Sequence, residues 1–212
     1  MKVAILCGGL GTRLGDLTRE LPKAMIPVAG RPFLDYVVES FRGFEVILLT
    51  GHQSQIIEDH FGDRVAYSRE REPLGTGGAL RQARDLLGDR FLVTYGDVLR
   101  RFDYDRFVRE HPEPALAVYE RITAGNTDVD GDRVVRFDKG APELPFIDAG
   151  FSLMDAAIFE LLPERGSYEE SVFPALAAAR RLACEVVDHD FYDIGTPEEL
   201  ARTRAALEGA GT

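Results

Sequence analysis

The sequence predicts an α/β fold: a three-layer sandwich in which helices cover a central mixed, mostly parallel sheet. The first hundred residues alternate short β-branched or aromatic-rich segments with longer segments of helical spacing, which is typical of a parallel sheet. The second half is less regular and richer in turns, which favours a mixed sheet there. The length of 212 residues suits one sizeable core, so we predict a single domain over residues 1–212.

The first half of the chain is predicted to contain strands at residues 3–7, 45–50, 65–69 and 91–95. Between these strands, apolar residues recur at the spacing of helices with one buried face. Right-handed crossovers bring the C-terminal ends of parallel strands to one edge of a sheet. Gly8, Gly51 and Asp97 follow such ends, so we expect them to lie along the same edge.

The second half is predicted to add strands at residues 115–120, 134–138, 146–154, 184–187 and 191–194. Helical spacing recurs at residues 156–162 and 172–182. The last helix has the clearest start, because Thr196 and Glu199 form a capping-box pattern with Pro197 in the first turn. The sheet is therefore expected to continue beyond the first half.

Composition narrows the class of protein. No apolar run approaches the roughly 20 residues that a membrane span needs, so no membrane partner is expected. The run at residues 3–7 is too short for the core of a signal peptide, which predicts a cytoplasmic protein. Cys7 and Cys184 lack metal or redox spacing and are predicted to be buried free thiols. The formal net charge of −11 argues against a nucleic-acid partner.

A glycine-rich turn follows the first predicted strand. Gly8, Gly9 and Gly11 lack a Cβ, which lets backbone N–H groups close around phosphate oxygens. Arg13 and Lys23 follow and supply positive charge. The combination predicts a phosphate-binding site; a purely structural turn would explain the glycines but would need neither cation.

Two commoner phosphate motifs do not fit this turn. Leu14 occupies the third glycine position of the dinucleotide fingerprint, and no acidic residue follows the second strand at Thr50 and Gly51. No Gly-Lys-Ser/Thr sequence closes the turn, as it would in the P-loop of ATPases and GTPases. A dehydrogenase and a P-loop enzyme are therefore disfavoured.

Several stretches of the chain together resemble one enzyme family. They are CGGLGTRL at 7–14, LPKAMIPVAGRPFLDY at 21–36, EPLGTGGAL at 72–80, YGDV at 95–98, FDKG at 137–140, DAGFSLM at 148–154 and FYDIGTPEEL at 191–200. In residue type and spacing the chain resembles the sugar-1-phosphate nucleotidyltransferases over nearly its whole length. PLGTGGAL at 73–80 and the compact C-terminal end are most similar to the single-domain guanylyltransferases that act on heptose or mannose 1-phosphate. The resemblance implies a Rossmann-like nucleotidyltransferase fold.

The resemblance implies that the first half, residues 1–100, binds a nucleoside triphosphate. The residues expected to line the base and the phosphates are Leu6, Gly8, Gly9, Gly11, Thr12, Arg13, Leu74, Gly75, Thr76 and Gly77. Arg13 would hold the β- and γ-phosphates. Gly77 would lie against the nucleobase, where a side chain would block the ring. Gly75, Gly77 and Gly78 form a second glycine cluster, and an ordinary turn at the start of a helix would also explain it.

The resemblance further implies a catalytic set of Arg13, Lys23 and Asp97. Lys23 would bridge the reacting phosphates, and Asp97 and Asp193 would ligate Mg²⁺ through carboxylate oxygens. The structural alternatives are a surface lysine, a turn-forming Gly-Asp pair and a hydrogen bond from Asp193 to the turn that follows it. No protein nucleophile is needed, because the chemistry depends on aligning two anions and stabilising a highly charged transition state.

The second half, residues 101–212, would bind the sugar phosphate. Asp138 and Lys139 match the acidic-lysine pair of the family, in which the carboxylate accepts hydrogen bonds from sugar hydroxyls and the ammonium meets the phosphate. Asp148 and Gly150 belong to the next motif. The chain departs from the family pattern twice, with Gly140 where proline is frequent and Asp148 where asparagine is common.

The expected reaction transfers a nucleoside monophosphate from a nucleoside triphosphate to a sugar 1-phosphate and releases pyrophosphate. The resemblance favours GTP with D-glycero-D-manno-heptose 1-phosphate or mannose 1-phosphate. Uridylyl or thymidylyl transfer to a hexose 1-phosphate stays open, because glycine backbones can surround several bases. So does a noncatalytic regulatory protein that binds a nucleotide sugar. A homodimer also stays open.

Overall fold

Among the residues that the structure describes, nine strands form one large sheet. The structure is a computed structural model and describes residues 1–9, 11–121 and 123–209. The strands are β1 (Lys2–Leu6), β2 (Pro27–Val28), β3 (Arg31–Pro32), β4 (Glu45–Thr50), β5 (Ala66–Arg69), β6 (Arg90–Tyr95), β7 (Val98–Arg100), β8 (Ala115–Glu120), β9 (Thr127–Asp130), β10 (Arg133–Phe137), β11 (Phe146–Asp155), β12 (Ala183–Val186) and β13 (Phe191–Asp193). The α-helices are α1 (Phe33–Ser40), α2 (Ser54–Phe61), α3 (Gly75–Gln82), α4 (Arg84–Leu87), α5 (Tyr104–Glu110), α6 (Tyr168–Ala178) and α7 (Pro197–Gly209). The order in the large sheet is β5-β4-β1-β6-β11-β8-β12-β10-β9.

The predicted strands are all present, and two helix predictions need correction. Residues 156–162 are predicted as a helix, but the structure has only a 3₁₀ turn at Ala156–Glu160. α6 begins before residue 172, because the Ser167 side chain caps it by accepting the Glu170 N–H at 3.2 Å. It ends before residue 182, since Arg180 adopts a left-handed φ of 53°.

The large sheet is mixed, as predicted, but "mostly parallel" describes only its first half. β5, β4, β1 and β6 are parallel neighbours, and β12 is parallel to β8. β11 lies antiparallel between β6 and β8, and β10 lies antiparallel to β9 and β12. A tight turn at Gly131, with φ of 60°, joins β9 to β10. Such short connections produce antiparallel pairs, whereas parallel pairs need longer crossovers.

Apolar residues pack on both faces of this sheet. Val3 and Ile5 of β1 belong to one buried cluster and Ala4 belongs to another, because successive side chains of a strand point to opposite faces. Phe33 of α1 packs in the first cluster and Leu80 of α3 in the second. Burial of these side chains is the main favourable contribution to folding, and it holds helices against each face.

The structure can be compared with two expectations drawn from composition, one on the cysteines and one on membrane spans. Cys7 and Cys184 are buried free cysteines, as predicted. Burial raises the pKa of Cys184 to about 11. In the part of the chain that the structure describes, every helix is too short or too polar to cross a bilayer.

The C-terminal ends of β1, β4 and β6 meet at one edge of the sheet, as predicted. The Gly96 N–H donates to the Leu6 carbonyl at 2.9 Å, which joins the ends of β6 and β1. A Cβ on Gly51 would lie 3.1 Å from the Gly8 carbonyl oxygen, so the ends of β4 and β1 approach closely. Asp97 follows Gly96 and completes this edge.

The pairing of β7 with β13 brings the far end of the chain to the same place. Asp193 lies opposite Val98 in this two-stranded sheet, and the Ile194 N–H donates to the Asp97 carbonyl at 3.2 Å. α7 begins directly afterwards, with the Glu199 N–H donating to the capping hydroxyl at residue 196 at 3.2 Å, as predicted. Asp97 and Asp193, which are separated by nearly half of the chain, are therefore neighbours.

Candidate active site

A cleft of about 1090 Å³ opens at this edge of the sheet. The predicted site residues that line it are Leu6, Gly8, Gly9, Gly11, Thr12, Arg13, Lys23, Gly75, Thr76 and Asp97. Among the described residues, those predicted but not lining the cleft are Leu74, Gly77, Asp138, Lys139, Asp148, Gly150 and Asp193. The structure thus brings most of the predicted nucleotide site together and places the predicted sugar-phosphate residues outside the cleft wall.

Thr18 packs against the glycine turn after β1 and bonds to its backbone. Gly11 has φ of +64°, and a Cβ there would lie 2.8 Å from Thr18 Cγ2, so other residues would be strained and would collide. The Thr18 hydroxyl donates to the carbonyls of Gly11 and Gly15 at 3.2 and 3.1 Å. A Cβ on Gly9 would meet nothing within 4 Å. Glycine is therefore required at position 11 and leaves open space at position 9.

Lys23 and Arg13 bring positive charge to the cleft. Lys23 begins a 3₁₀ turn (Lys23–Met25) that directly follows Pro22. Its Nζ lies 2.5 Å from Asp97 Oδ2, and the lysine side chain is only 12% exposed. Arg13 is an exposed side chain on the cleft wall. One cation is thus held in place by a carboxylate, and the other faces the solvent side of the cleft.

Carboxylates converge around Gly195, one of the residues that line the cleft. A Cβ on Gly195 would lie 2.8 Å from Asp193 Oδ1 and 2.9 Å from Glu199 Oε2, so a larger residue would displace these carboxylates. Burial raises the pKa of Asp193, and the negative charges of Asp97 and Glu199 raise it further. Within residues 1–9, 11–121 and 123–209, no group of three or more His, Cys, Asp and Glu side chains has the arrangement of a metal site.

Gly77 packs against a loop instead of the cleft. A Cβ there would lie 2.8 Å from Pro163 Cγ and Cδ, and its N–H donates to the Gly166 carbonyl at 2.8 Å. Gly75 has φ of +73°, and a Cβ on it would lie 2.5 Å from the same carbonyl oxygen. Close packing against this loop by itself explains a glycine at position 77, and the expected contact of Gly77 with a nucleobase stays a prediction. Gly75 and Thr76 line the cleft beside it.

Glu70 is a cleft residue that the sequence motifs do not reveal. It follows β5 and lines the cleft, and its Oε2 accepts the Leu74 N–H at 2.9 Å, which fixes the backbone just before Gly75. Its Oε1 lies 3.4 Å from the position of a Cβ on Gly8. Burial raises the pKa of Glu70, and the Leu74 hydrogen bond opposes this shift. Its position between a strand end and a glycine cluster is the signal that could have identified it.

Asp138 and Lys139 contact different partners. Asp138 accepts hydrogen bonds from the Arg136 guanidinium and from the Gly140 N–H, both at 2.9 Å. The Arg136 bond holds the pKa of Asp138 below its ordinary value. Lys139 Nζ lies 3.4 Å from Glu169 Oε1. Gly140 supplies an N–H that the proline frequent at this position lacks, so the departure from the family pattern has a local structural use.

Asp148 and Gly150 lie on β11, where Asp148 pairs with Val118 of β8 and Gly150 directly precedes the residues that pair with β6. Asn126 Nδ2 donates to Asp148 Oδ2 at 2.5 Å, and Asn126 Oδ1 accepts the Asp148 N–H at 2.9 Å. Burial raises the pKa of Asp148 against the lowering effect of the Asn126 hydrogen bond. A Cβ on Gly150, where φ is +68°, would lie 2.6 Å from Arg100 Nη2 and 3.5 Å from the ring of Tyr95. Gly150 therefore lies next to the cleft residue Tyr95, and Asp148 is close enough for its charge to raise the pKa of Tyr95.

Comparison with known proteins decides the family. A family model described as nucleotidyl transferase matches residues 2–133. This chain belongs to the nucleotidyl transferase family. It is 33% identical to a D-glycero-alpha-D-manno-heptose 1-phosphate guanylyltransferase from Campylobacter jejuni, covering 94% of this chain and 96% of the relative. It is also 33% identical to the enzyme of the same name from Aneurinibacillus thermoaerophilus, covering 98% and 99%.

Solved structures agree with this family membership. HddC from Yersinia pseudotuberculosis, complexed with GMP-PN, has a TM-score of 0.82 and 28% identity, covering 97% of this chain and 99% of that one. A UDP-glucose pyrophosphorylase complexed with UDP-glucose has a TM-score of 0.86 at 19% identity, which shows a shared fold alone. The predicted resemblance to nucleotidyltransferases is confirmed, and with it an α/β fold around a mixed sheet.

The cleft of this nucleotidyl transferase has the chemistry to hold a polyphosphate. Its glycine turn and its two cations, Arg13 and Lys23, complement phosphate oxygens. Its wall also contains Thr76 and Tyr95, which both donate hydrogen bonds to Glu169 on α6. Glu169 is the second residue that the sequence motifs miss, because its importance depends on contacts with three distant segments.

Proposed function

We propose that this nucleotidyl transferase transfers a guanylyl group from GTP to a sugar 1-phosphate and releases pyrophosphate. Glu70 is the observation that carries the choice of base. Guanine presents two adjacent donors, N1–H and the 2-amino group, which match a carboxylate acceptor. Uracil and thymine present one N–H between two carbonyl oxygens, which would face the carboxylate unfavourably. Two such donors would also stabilise the anion of Glu70, whose pKa burial raises.

The acceptor in this proposal is D-glycero-D-manno-heptose 1-phosphate or mannose 1-phosphate. The names of the relatives support it: two are heptose 1-phosphate guanylyltransferases, and one, from Mycobacterium tuberculosis, is a mannose-1-phosphate guanylyltransferase 34% identical over 96% of this chain and 63% of its own length. We assign the nucleotide to residues 1–100 and the sugar phosphate to residues 101–212. Asp138, Lys139, Asp148 and Gly150 are the proposed sugar-phosphate residues.

In the proposed reaction, a phosphate oxygen of the sugar phosphate attacks the α-phosphorus of GTP. The bond from that phosphorus to the oxygen bridging to the β-phosphate breaks, and pyrophosphate leaves with the bonding electrons. Lys23 would neutralise the reacting phosphates, and Arg13 would hold the leaving pyrophosphate. The N–H groups of the glycine turn would orient the triphosphate. The main contribution of Lys23, Arg13 and these N–H groups would be to align two anions that repel each other.

Asp97 and Asp193 fit a divalent cation, which we propose is Mg²⁺. The fit rests on their placement: Asp193 lies opposite Val98 in the β7–β13 pair, and the Ile194 N–H donates to the Asp97 carbonyl at 3.2 Å, so both residues lie at one end of that pair. The charge of Asp97 also raises the pKa of Asp193, and a cation would relieve that repulsion. Mg²⁺ is usually bound by one or two carboxylates together with substrate phosphates, which suits this donor set. When bound, the ion would neutralise charge that develops on the phosphates. Lys23 would keep Asp97 oriented toward it.

The predictions on layer arrangement, domain number, location and oligomeric state are kept as proposals. Apolar clusters on both faces of the sheet support a three-layer sandwich. One domain over residues 1–212, a cytoplasmic location and a homodimer stay predictions.

A grid of substrates tests the proposed function. Purified protein is incubated with GTP, UTP, dTTP or ATP and with heptose 1-phosphate, mannose 1-phosphate or glucose 1-phosphate, and pyrophosphate release is measured with Mg²⁺ and with a chelator. We expect release with GTP at least about tenfold faster than with the other nucleotides, a difference of about 1.4 kcal/mol. Faster release with UTP or dTTP would favour the alternative enzymes, and binding without any release would favour a regulatory protein.

A further inference from the structure

A buried carboxylate lies behind the wall of the cleft. Glu169 is in the first turn of α6 and is only 6% exposed. Its Oε2 accepts hydrogen bonds from Thr76 Oγ1 at 2.8 Å and Ser167 Oγ at 2.6 Å. Its Oε1 accepts one from the Tyr95 hydroxyl and lies 3.4 Å from Lys139 Nζ. Glutamate is almost never this buried without such partners.

These partners come from both predicted halves of the active site. Thr76 and Tyr95 line the cleft in which we place the nucleotide. Lys139 belongs to the predicted sugar-phosphate residues, and its own side chain is 41% exposed, so it can meet a ligand while it contacts Glu169. Asp148, a further residue of that predicted set, is close enough for the charge of Glu169 to raise its pKa. Glu169 therefore touches or influences both substrate regions.

The charge on Glu169 is stabilised where it lies. Burial alone would raise its pKa, but hydrogen bonds from Ser167 and Tyr95 and the charge of Lys139 outweigh burial, and the pKa is lowered. Burial and the nearby Glu169 charge raise the pKa of Tyr95, which keeps that hydroxyl a donor. The N-terminal turn of α6 also favours a negative charge. The carboxylate is thus an anion with fixed acceptor positions.

We propose that Glu169 is a positioning residue that holds the Lys139 ammonium beside the cleft wall formed by Thr76 and Tyr95, and thereby links sugar-phosphate binding to nucleotide binding. This inference rests on the proposed function, because it takes the two ligands to be a sugar 1-phosphate and GTP. Glu169 acts through Lys139 and the two hydroxyls and does not itself contact reacting atoms.

The test replaces Glu169 by glutamine, which keeps the size and one acceptor oxygen but removes the charge that attracts Lys139. We expect Glu169→Gln to weaken mannose 1-phosphate binding about tenfold, the equivalent of about 1.4 kcal/mol, by calorimetry and in KM. We expect the KM for GTP to change less than about twofold. Glu170→Gln is the matched control, since Glu170 is the exposed neighbour on the same helix, and both affinities should stay at the wild-type values.

A double-variant cycle tests the route through the lysine. If Glu169 positions Lys139, Glu169→Gln in a Lys139→Met background should change mannose 1-phosphate affinity much less than it does in the wild type. Additive effects would overturn this route. The linkage itself is measured as the affinity for a nonhydrolysable GTP analogue with and without mannose 1-phosphate, and the ratio should approach one in Glu169→Gln.

The possible failures are distinguishable. If Glu169→Gln changes only the melting temperature, or both affinities equally, the residue is structural and the inference is wrong while the proposed function stands. If the wild type binds mannose 1-phosphate and Glu169→Gln weakens that binding, but no pyrophosphate is released, the proposed transfer is wrong and the positioning role stands. A wild-type chain that binds no sugar phosphate would overturn both.

Discussion

The Lys23 ammonium lies 2.5 Å from the Asp97 carboxylate, although 74 residues separate them in the chain. The side chains are 12% and 30% exposed, so solvent screens this pair less than a surface ion pair. The contact holds the cation proposed for the reacting phosphates and a carboxylate proposed for the metal in one fixed arrangement. In an enzyme that works by alignment, such fixed positions are a direct source of rate.

Asp97→Asn is expected to lower kcat about 100-fold or more, because the amide loses the charge that would hold a cation and orient Lys23. Pyrophosphate release measures the rate, and circular dichroism shows whether the protein stays folded. Asp105→Asn, which alters an exposed carboxylate on α5, should behave as the wild type. Wild-type turnover in Asp97→Asn would remove Asp97 from the mechanism.

Gly11→Ala is expected to lower the free energy of unfolding by about 1–3 kcal/mol, because alanine is strained at φ of +64° and its Cβ would meet Thr18 at 2.8 Å. Gly9→Ala is the matched control, since a Cβ there meets nothing within 4 Å. Its free energy of unfolding should change by less than about 0.5 kcal/mol. Urea unfolding of both variants measures the difference, and equal stabilities would contradict the packing at Gly11.

Glu70→Gln is expected to lower kcat/KM for GTP by about 10- to 100-fold, because the amide cannot accept two guanine donors as a carboxylate does. Rates with UTP should fall much less, so the preference for GTP narrows. Glu72→Gln is the control: Glu72 also lines the cleft, but it pairs with Arg165 at 2.9 Å and is largely exposed. A GTP preference that survives in Glu70→Gln would assign base recognition elsewhere.

Asp148→Asn tests the effect of burial on a titrating group. The folded pKa of Asp148 is raised, mainly by burial and also by Glu169, against lowering by Asn126 and Lys139. The folded state therefore binds the proton more tightly than the unfolded state, and wild-type stability falls as pH rises from the ordinary pKa through the raised one. Because asparagine does not titrate, the melting temperature of Asp148→Asn relative to the wild type should rise over that window and then level off.

The exposed Asp138 should change the pH dependence of stability in the opposite direction to Asp148. Arg136 lowers its pKa, so the carboxylate contributes stability that is present above the ordinary pKa and is lost as pH falls through the lowered one. Asp138→Asn should therefore be less stable than the wild type near neutrality and should approach it in acid. Melting curves between about pH 3 and 8 measure both variants, and the same sign for both would contradict these environments.

Much of the local structure follows from the sequence because it depends on neighbouring residues. Alternating apolar segments located the strands of the large sheet. The cap at residue 196 depends on a hydroxyl three positions before an N–H that needs an acceptor. The apolar spacing predicts a helix over residues 172–182, whereas α6 spans Tyr168–Ala178. The predicted start is late because a cap such as Ser167 contributes nothing to an apolar pattern. The short β9 was missed for a similar reason, since a pair of short strands around Gly131 carries little periodicity.

Residue type and spacing predict the family, the glycine turn, the two cations and the carboxylates that follow the strands. Which of these groups touch depends on the tertiary structure. The antiparallel placement of β11, the approach of Glu70 to Gly8 and the contacts of Glu169 with Thr76 and Lys139 join segments that are distant in sequence. Packing of whole strands and helices sets these distances, and no local pattern records it.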